Sequence, residues 1–247
     1  MSSSLLDRVV DIAEGAGDIV LGFYNDDVGI EYKEDESPLT EADLAANRYI
    51  TDALTALTPD VPVLSEESKH APWLERKQWS KFWLVDPVDG TKEFIKRNGE
   101  FTVNIALIDS GKATLSVIVA PALAKTWLAN GEQAWLKVDG EIQQISVKQA
   151  EKPTIVGSRS HKSDGMAAFL EGIGEHNFVS AGSSLKFCLV AEGVAQYYPR
   201  LAPTMMWDTA AGQCIAESAG AKVLDEQGEP LSYHREALLN PFFIVSI

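Results

Sequence analysis

Apolar residues at Leu5, Val9, Ile12, Ala13, Ala16, Ile19, Val20 and Phe23 recur at spacings of three and four, which predicts an amphipathic helix with one face turned inward. A polar connector and Ser37-Pro38-Leu39-Thr40 lead into a second such pattern over Glu41 to Leu57. Thr40 is placed to cap that helix, and Leu44, Ala45, Ile50, Leu54 and Leu57 form its inward stripe. Asp43 then falls in its first turn. From Val61 onward the period changes. Short apolar runs at 61–64, 82–85, 101–108, 114–120, 126–129 and 134–138 predict strands. Asp109-Ser110-Gly111-Lys112, Asn130-Gly131 and Asp139-Gly140 punctuate them as hairpin turns, so a largely antiparallel meander is expected.

After Lys152-Pro153 the texture alternates. Strands are predicted at 154–157, around Phe178 and Val179, at 195–198 and at 221–224, with helices within 164–173 and at 184–192 and 209–218. The expected organisation is therefore an N-terminal part, 1–150, of helices plus sheet, and a C-terminal α/β part, 151–247. The class is mixed α/β.

Composition narrows the function. The 247 residues are 45% apolar and 23% charged, enough to bury a full core and too apolar for a disordered chain. The formal charge of −15 disfavours nonspecific binding to nucleic acid or to an anionic membrane. Much of it is local, since Asp26 to Glu67 holds 12 acidic residues against Lys33 and Arg48. Such a run is either a solvated face or a carboxylate-rich edge that holds cations. Cys188 and Cys214 sit in apolar contexts far apart in sequence, as buried thiols of a reducing compartment do. No stretch resembles a signal peptide or a membrane span. A cytoplasmic protein is expected, free or held peripherally at the inner face of the membrane.

The densest chemistry is Trp83-Leu84-Val85-Asp86-Pro87-Val88-Asp89-Gly90-Thr91, an apolar strand that ends in two carboxylates three residues apart. A tight turn there can aim both at one point, where they would repel unless a cation lay between them. With the Val88 carbonyl as a further hard oxygen, Mg²⁺ is the expected ion. Glu66 follows a strand and could be loop charge; Asp208 precedes the helix opened by Thr209 and is a natural N-cap. Their weight comes from combination with Asp86 and Asp89.

Glu66-Glu67, Asp86-Pro87-Val88-Asp89-Gly90-Thr91 and Trp207-Asp208-Thr209-Ala210-Ala211-Gly212 together resemble the signatures of the inositol monophosphatase family of Mg²⁺-dependent, lithium-sensitive phosphatases. Within it, Ser65-Glu66-Glu67, the run from Asp89 to Thr102, and Gly182-Ser183-Ser184-Leu185-Lys186-Phe187-Cys188 are most similar to the branch of bacterial 3′(2′),5′-bisphosphate nucleotidases. The resemblance covers nearly the whole chain and implies a layered αβαβα fold. It implies that Glu66, Asp86, the Val88 carbonyl, Asp89 and Asp208 hold two or three Mg²⁺. It further implies that Asp43 and Thr91 orient the attacking water, and that the Gly90 and Thr91 amides and Asp208 face the substrate. Val88 stands where relatives often have Leu or Ile, which matters little for a backbone ligand.

The reaction implied is hydrolysis of the 3′-phosphate of 3′-phosphoadenosine 5′-phosphate, and of its sulfated relative, in support of sulfate assimilation. It proceeds by in-line attack of a metal-activated water without a phosphoenzyme. Physical chemistry points the same way, because a phosphate dianion resists water until its charge is neutralised. A bisphosphorylated substrate needs a second cationic site, for which Ser158, Arg159 and His161 after one strand and Gly182, Ser183, Ser184 and Lys186 after another are the candidates. Two alternatives remain open at this point: an inositol or sugar monophosphatase, and a non-catalytic cation-regulated nucleotide-binding protein. The partner is a small nucleotide, and the oligomeric state is not legible in the sequence.

Overall fold

The structure, a computed structural model, describes residues 4–24, 30–32, 38–158 and 164–247. In chain order the elements are α1 (Leu5–Tyr24), β1 (Ile30–Tyr32), β2 (Pro38–Thr40), α2 (Glu41–Leu57), β3 (Val63–Ser65), α3 (Trp73–Arg76), β4 (Lys81–Asp89) and α4 (Thr91–Ile95). There follow β5 (Thr102–Asp109), β6 (Lys112–Ala120), β7 (Lys125–Ala129), β8 (Ala134–Val138) and β9 (Glu141–Ile145). The chain closes with β10 (Thr154–Gly157), α5 (Asp164–Ile173), β11 (Asn177–Ser180), α6 (Leu185–Ala191), β12 (Tyr197–Arg200), α7 (Met206–Ser218), β13 (Lys222–Asp225) and β14 (Phe243–Ser246).

Two large sheets organise the molecule. One runs β3-β4-β5-β6-β7-β8-β9, antiparallel throughout except for the parallel β3–β4 pair. The other has the order β11-β10-β12-β14-β13 and is mixed. The run Phe82-Trp83-Leu84-Val85 reads as continuously apolar because β4 is buried on both faces. Trp83 and Val85 join Val9, Ala13, Ala16, Ile50 and Leu54 of α1 and α2 in one core. Phe82 and Leu84 join Phe187 of α6, Ile215 of α7 and Val245 of β14 in another. Alternation repeats in β12, where Tyr198 meets Phe187 and Tyr197, on the opposite face, meets Phe169 of α5. The layers are thus α1/α2, large sheet, α6/α7, smaller sheet and α5, a mixed α/β architecture of αβαβα type.

Local departures from the sequence reading have physical causes. Helix α2 turns Ala42, Asp43, Ala46, Ile50 and Leu54 inward, whereas Leu44 is 44% exposed and Ala45 only half-buried. Small residues at four-residue spacing let α2 lie close against its neighbours, which rotates the expected stripe. Strand β14 was not expected, although Phe243-Ile244-Val245 is apolar and β-branched; it lies between β12 and β13 and pairs with both. Helix α7 begins at Met206, three residues before the expected start, so Asp208 is the third helical residue and not the cap.

Candidate active site

Strand β4 carries the first two carboxylates, and the register explains how. Asp86 pairs with Asn104 and Asp89 with Thr102, so β4 has one more residue than β5 between those pairs. In a regular strand, residues three apart point to opposite faces; the bulge adds the residue that returns both toward the α6/α7 layer. The strand therefore continues to Asp89 through a bulge and does not end at Val85 in a tight turn. Pro87, which has no amide to contribute to the ladder, falls within that irregularity. Gly90 then adopts a left-handed conformation, φ 92°, that opens the short helix α4 at Thr91.

Other elements bring the remaining acids. Glu66 follows β3 and its amide donates to the Val85 carbonyl at 3.1 Å, fixing it beside the end of β4. Asp208, in the first turn of α7, accepts the Met205 amide at 2.9 Å. Carboxylate oxygens of Glu66, Asp86 and Asp208 all lie within 4.8 Å of one another. Asp89 is close enough to act electrostatically on Asp86 and Asp208, but it stands outside that trio and its Oδ2 accepts the Ser184 hydroxyl at 2.7 Å. Burial, then Glu66, Asp89, Asp208 and Asp43, push the Asp86 carboxyl well above the usual carboxylate range. Burial and the Asp89 charge, with a smaller share from Glu66, push Asp208 up to about 8 against the opposing Met205 amide and Arg200. These are the marks of an all-oxygen donor set suited to hard divalent cations.

Asp43 is 1% exposed in the first turn of α2. Its Oδ2 accepts both the Thr40 amide, at 2.9 Å, and the Thr40 hydroxyl, while its Oδ1 accepts the Thr91 hydroxyl at 3.3 Å. Thr91 Oγ1 also lies 3.2 Å from the Val88 carbonyl, the backbone oxygen read as a ligand from the sequence. Asp43 thus caps its own helix and also reaches the β4–α4 junction.

A cleft of about 440 Å³ opens beside these acids, lined by Asp89, Gly90, Ser158, Gly182, Ser183, Lys186 and Asp208 among others. Lys92, Lys96 and Arg200 line it too, although they were not singled out in the sequence. Arg200 follows two tyrosines in β12, and nothing local distinguishes it from a surface cation; its guanidinium is held by the Ala202 and Pro203 carbonyls at 3.1 and 2.6 Å. Lys186 is 5% exposed; its ammonium donates to the Ser183 carbonyl at 2.6 Å and lies 5.6 Å from the centre of the Tyr198 ring. Burial lowers its pKa to about 8, with Asp89, Glu93 and Glu100 opposing. It therefore braces the turn in which Ser183 holds a left-handed φ of 40°. Gly182 is required there: a Cβ would lie 2.8 Å from the Glu100 carbonyl oxygen, and its amide donates to Glu100 Oε2 at 2.8 Å. Ser184, read as substrate-binding, instead turns inward to Asp89 and to the Asp208 carbonyl at 2.8 Å. Arg159 and His161 lie outside the described residues.

This fold and its carboxylate cluster coincide with a family match. The chain belongs to the inositol monophosphatase family, whose model matches residues 2–241. It is 53% identical to the 3′(2′),5′-bisphosphate nucleotidase CysQ of Salmonella typhimurium over 246 residues, 98% of this chain and 100% of that protein. The CysQ of Buchnera aphidicola is 43% identical across 98% of this chain and 93% of its own length. Among solved structures, CysQ from Bacteroides thetaiotaomicron, described as a bacterial member of the family, superposes with a TM-score of 0.84 at 39% identity, covering 98% of this chain and 96% of that one.

Proposed function

We propose that this chain is a Mg²⁺-dependent 3′(2′),5′-bisphosphate nucleotidase that hydrolyses the 3′-phosphate of 3′-phosphoadenosine 5′-phosphate to AMP and phosphate. The observation that carries the reading is one cleft that Asp89 and Asp208 of the acidic site line together with Lys92, Lys96, Lys186 and Arg200, in a chain 53% identical to a bisphosphate nucleotidase. Glu66, Asp86, the Val88 carbonyl, Asp89 and Asp208 would hold two or three Mg²⁺. When bound, such ions neutralise a phosphate dianion and make water a nucleophile at neutral pH.

The protein's own groups do the rest. Thr91 donates its hydroxyl proton to Asp43 and presents a lone pair to the attacking water, orienting it in line with the scissile bond. The amides of Gly90 and Thr91 face the phosphate oxygens. Ser158, Ser183, Lys186 and Arg200 receive the second phosphate, which an inositol monophosphate lacks; that cationic wall favours the bisphosphate. No described helix is long and apolar enough to cross a membrane. A cytoplasmic role in sulfate assimilation, inhibition by lithium and action on the sulfated nucleotide complete the proposal.

Phosphate release from a panel of nucleotide bisphosphates, nucleotide monophosphates, inositol phosphates and sugar phosphates, in Mg²⁺ and in excess chelator, tests it. Preference for the bisphosphate that vanishes in chelator is expected. Equal turnover of inositol monophosphate, or full activity in chelator, overturns it.

A further inference from the structure

Strand β5 contains one polar residue that its surroundings do not invite. Asn104 is 1% exposed within Thr102-Val103-Asn104-Ile105-Ala106, and alternation turns it with Ala106 and Ile108 toward the α6/α7 layer. Its Nδ2 donates to Ser184 Oγ at 2.9 Å and reaches Asp89 Oδ2 at 3.3 Å. Ser184 Oγ in turn lies 2.7 Å from Asp89 Oδ2 and 2.8 Å from the Asp208 carbonyl. The Asn104 Oδ1 is buried with no hydrogen-bond partner among the described residues. An unpaired buried carbonyl is unfavourable, and turning the amide over would aim that carbonyl at the Asp89 carboxylate and at Ser184. The negative charge of Asp89 therefore sets the amide orientation.

From this arrangement we propose that Asn104, acting through Ser184, is a positioning residue for Asp89. Because the amide occupies a Ser184 lone pair, the single hydroxyl proton goes forward to Asp89 or to the Asp208 carbonyl. With that proton on Asp89, its Oδ2 collects hydrogen bonds from both Ser184 and Asn104, and Oδ1 stays available to a cation. The same three side chains join β5 of the large sheet to the start of α6 and the first turn of α7, so the couple sets where Asp89 stands relative to Asp208. The inference rests on the reading of Asp89 as a metal ligand.

Asn104→Leu removes the amide at nearly constant volume, and Ser184→Ala removes the hydroxyl. Mg²⁺ titration of the full chain by calorimetry, melting in chelator, and separate kcat and KM values are the readouts. The expected result is a Mg²⁺ dissociation constant raised about tenfold or more in each variant, with the chelator melting temperature of Asn104→Leu at or above wild type and KM for the nucleotide unchanged. The double variant should bind Mg²⁺ no more weakly than the worse single one, since both act on one oxygen. Wild-type Mg²⁺ affinity in both single variants, or fully additive losses, overturns the proposal. Asp89→Asn separates the two failures. If it too binds Mg²⁺ normally, the metal-ligand reading itself fails; if it loses Mg²⁺ while Asn104→Leu and Ser184→Ala do not, only the positioning role does.

Discussion

Helices α2 and α7 start in the same way. Asp43 and Asp208 each occupy the third helical position, and each accepts the amide of the residue before the helix at 2.9 Å. That device satisfies a backbone donor, favours a negative charge at the positive end of the helix and locks the carboxylate rotamer. What differs is the oxygen left over. Asp43 turns it to the Thr91 hydroxyl, whereas Asp208 turns toward Glu66 and Asp86 and carries a pKa of about 8 because it is buried among like charges. A helix start can therefore present a buried carboxylate without saying what the carboxylate is for; the facing element assigns the role.

The comparison breaks most sharply under substitution by Asn, whose side-chain carbonyl can keep the cap while the free oxygen loses its charge. Asp208→Asn should lower kcat by roughly three orders of magnitude and weaken Mg²⁺ binding, while melting in chelator stays level or rises because a repulsive carboxylate is gone. Calorimetric Mg²⁺ titration alongside steady-state rates checks this, and unchanged Mg²⁺ affinity would remove Asp208 from the metal site.

Asp43→Asn should behave differently. kcat should fall by roughly a hundredfold with Mg²⁺ and nucleotide affinities near wild type, because only the acceptor for Thr91 is lost. Thr91→Val should match it in single-turnover rate. Were Asp43→Asn to retain near-normal turnover, the Thr91 contact would be a packing feature and the cap its whole function.

A smaller effect is expected across the cleft. Arg200→Met should raise KM for the bisphosphate by about tenfold, as loss of a charge-assisted hydrogen bond implies, and leave cleavage of an inositol monophosphate nearly unchanged. Lys186→Met should add a loss of stability, because the Ser183 carbonyl would lose its donor. Equal damage to both substrates by Arg200→Met would place the guanidinium on the scissile phosphate instead.

The smallest effect is in the pH dependence of melting. Asp208 binds its proton more tightly folded than unfolded, from about 3.8 up to about 8, so its contribution to stability falls as pH rises through that window. Lys186, lowered from 10.5 to about 8, has the opposite sense and regains stability between those values. In chelator the melting temperature should decline by roughly a few degrees from pH 5 to 8 and then level or recover. In Mg²⁺ the decline should be absent. A flat profile in chelator would mean that the acids do not share one desolvated site.

The chain alone disclosed the amphipathic period of α1, the apolar run Phe82-Trp83-Leu84-Val85, the hairpin turns and the paired acids Asp86 and Asp89, because these depend on neighbours within a few residues. It also holds the apolar run of β14 and a lone Asn inside the apolar stretch 103–108 of β5. Other features had no local signature. The bulge that turns Asp86 and Asp89 to one side exists only in pairing with β5, and Arg200 becomes a cleft residue only when β12 is set beside α6 and α4. Asp43 and Asp208 look alike as N-terminal helix acids. Periodicity and capping are decided by contacts a turn or a strand pair away, whereas the pKa of Asp208, the brace on Ser183 and the hold on Asp89 come from groups that only packing of the layers brings within hydrogen-bond or Coulomb range.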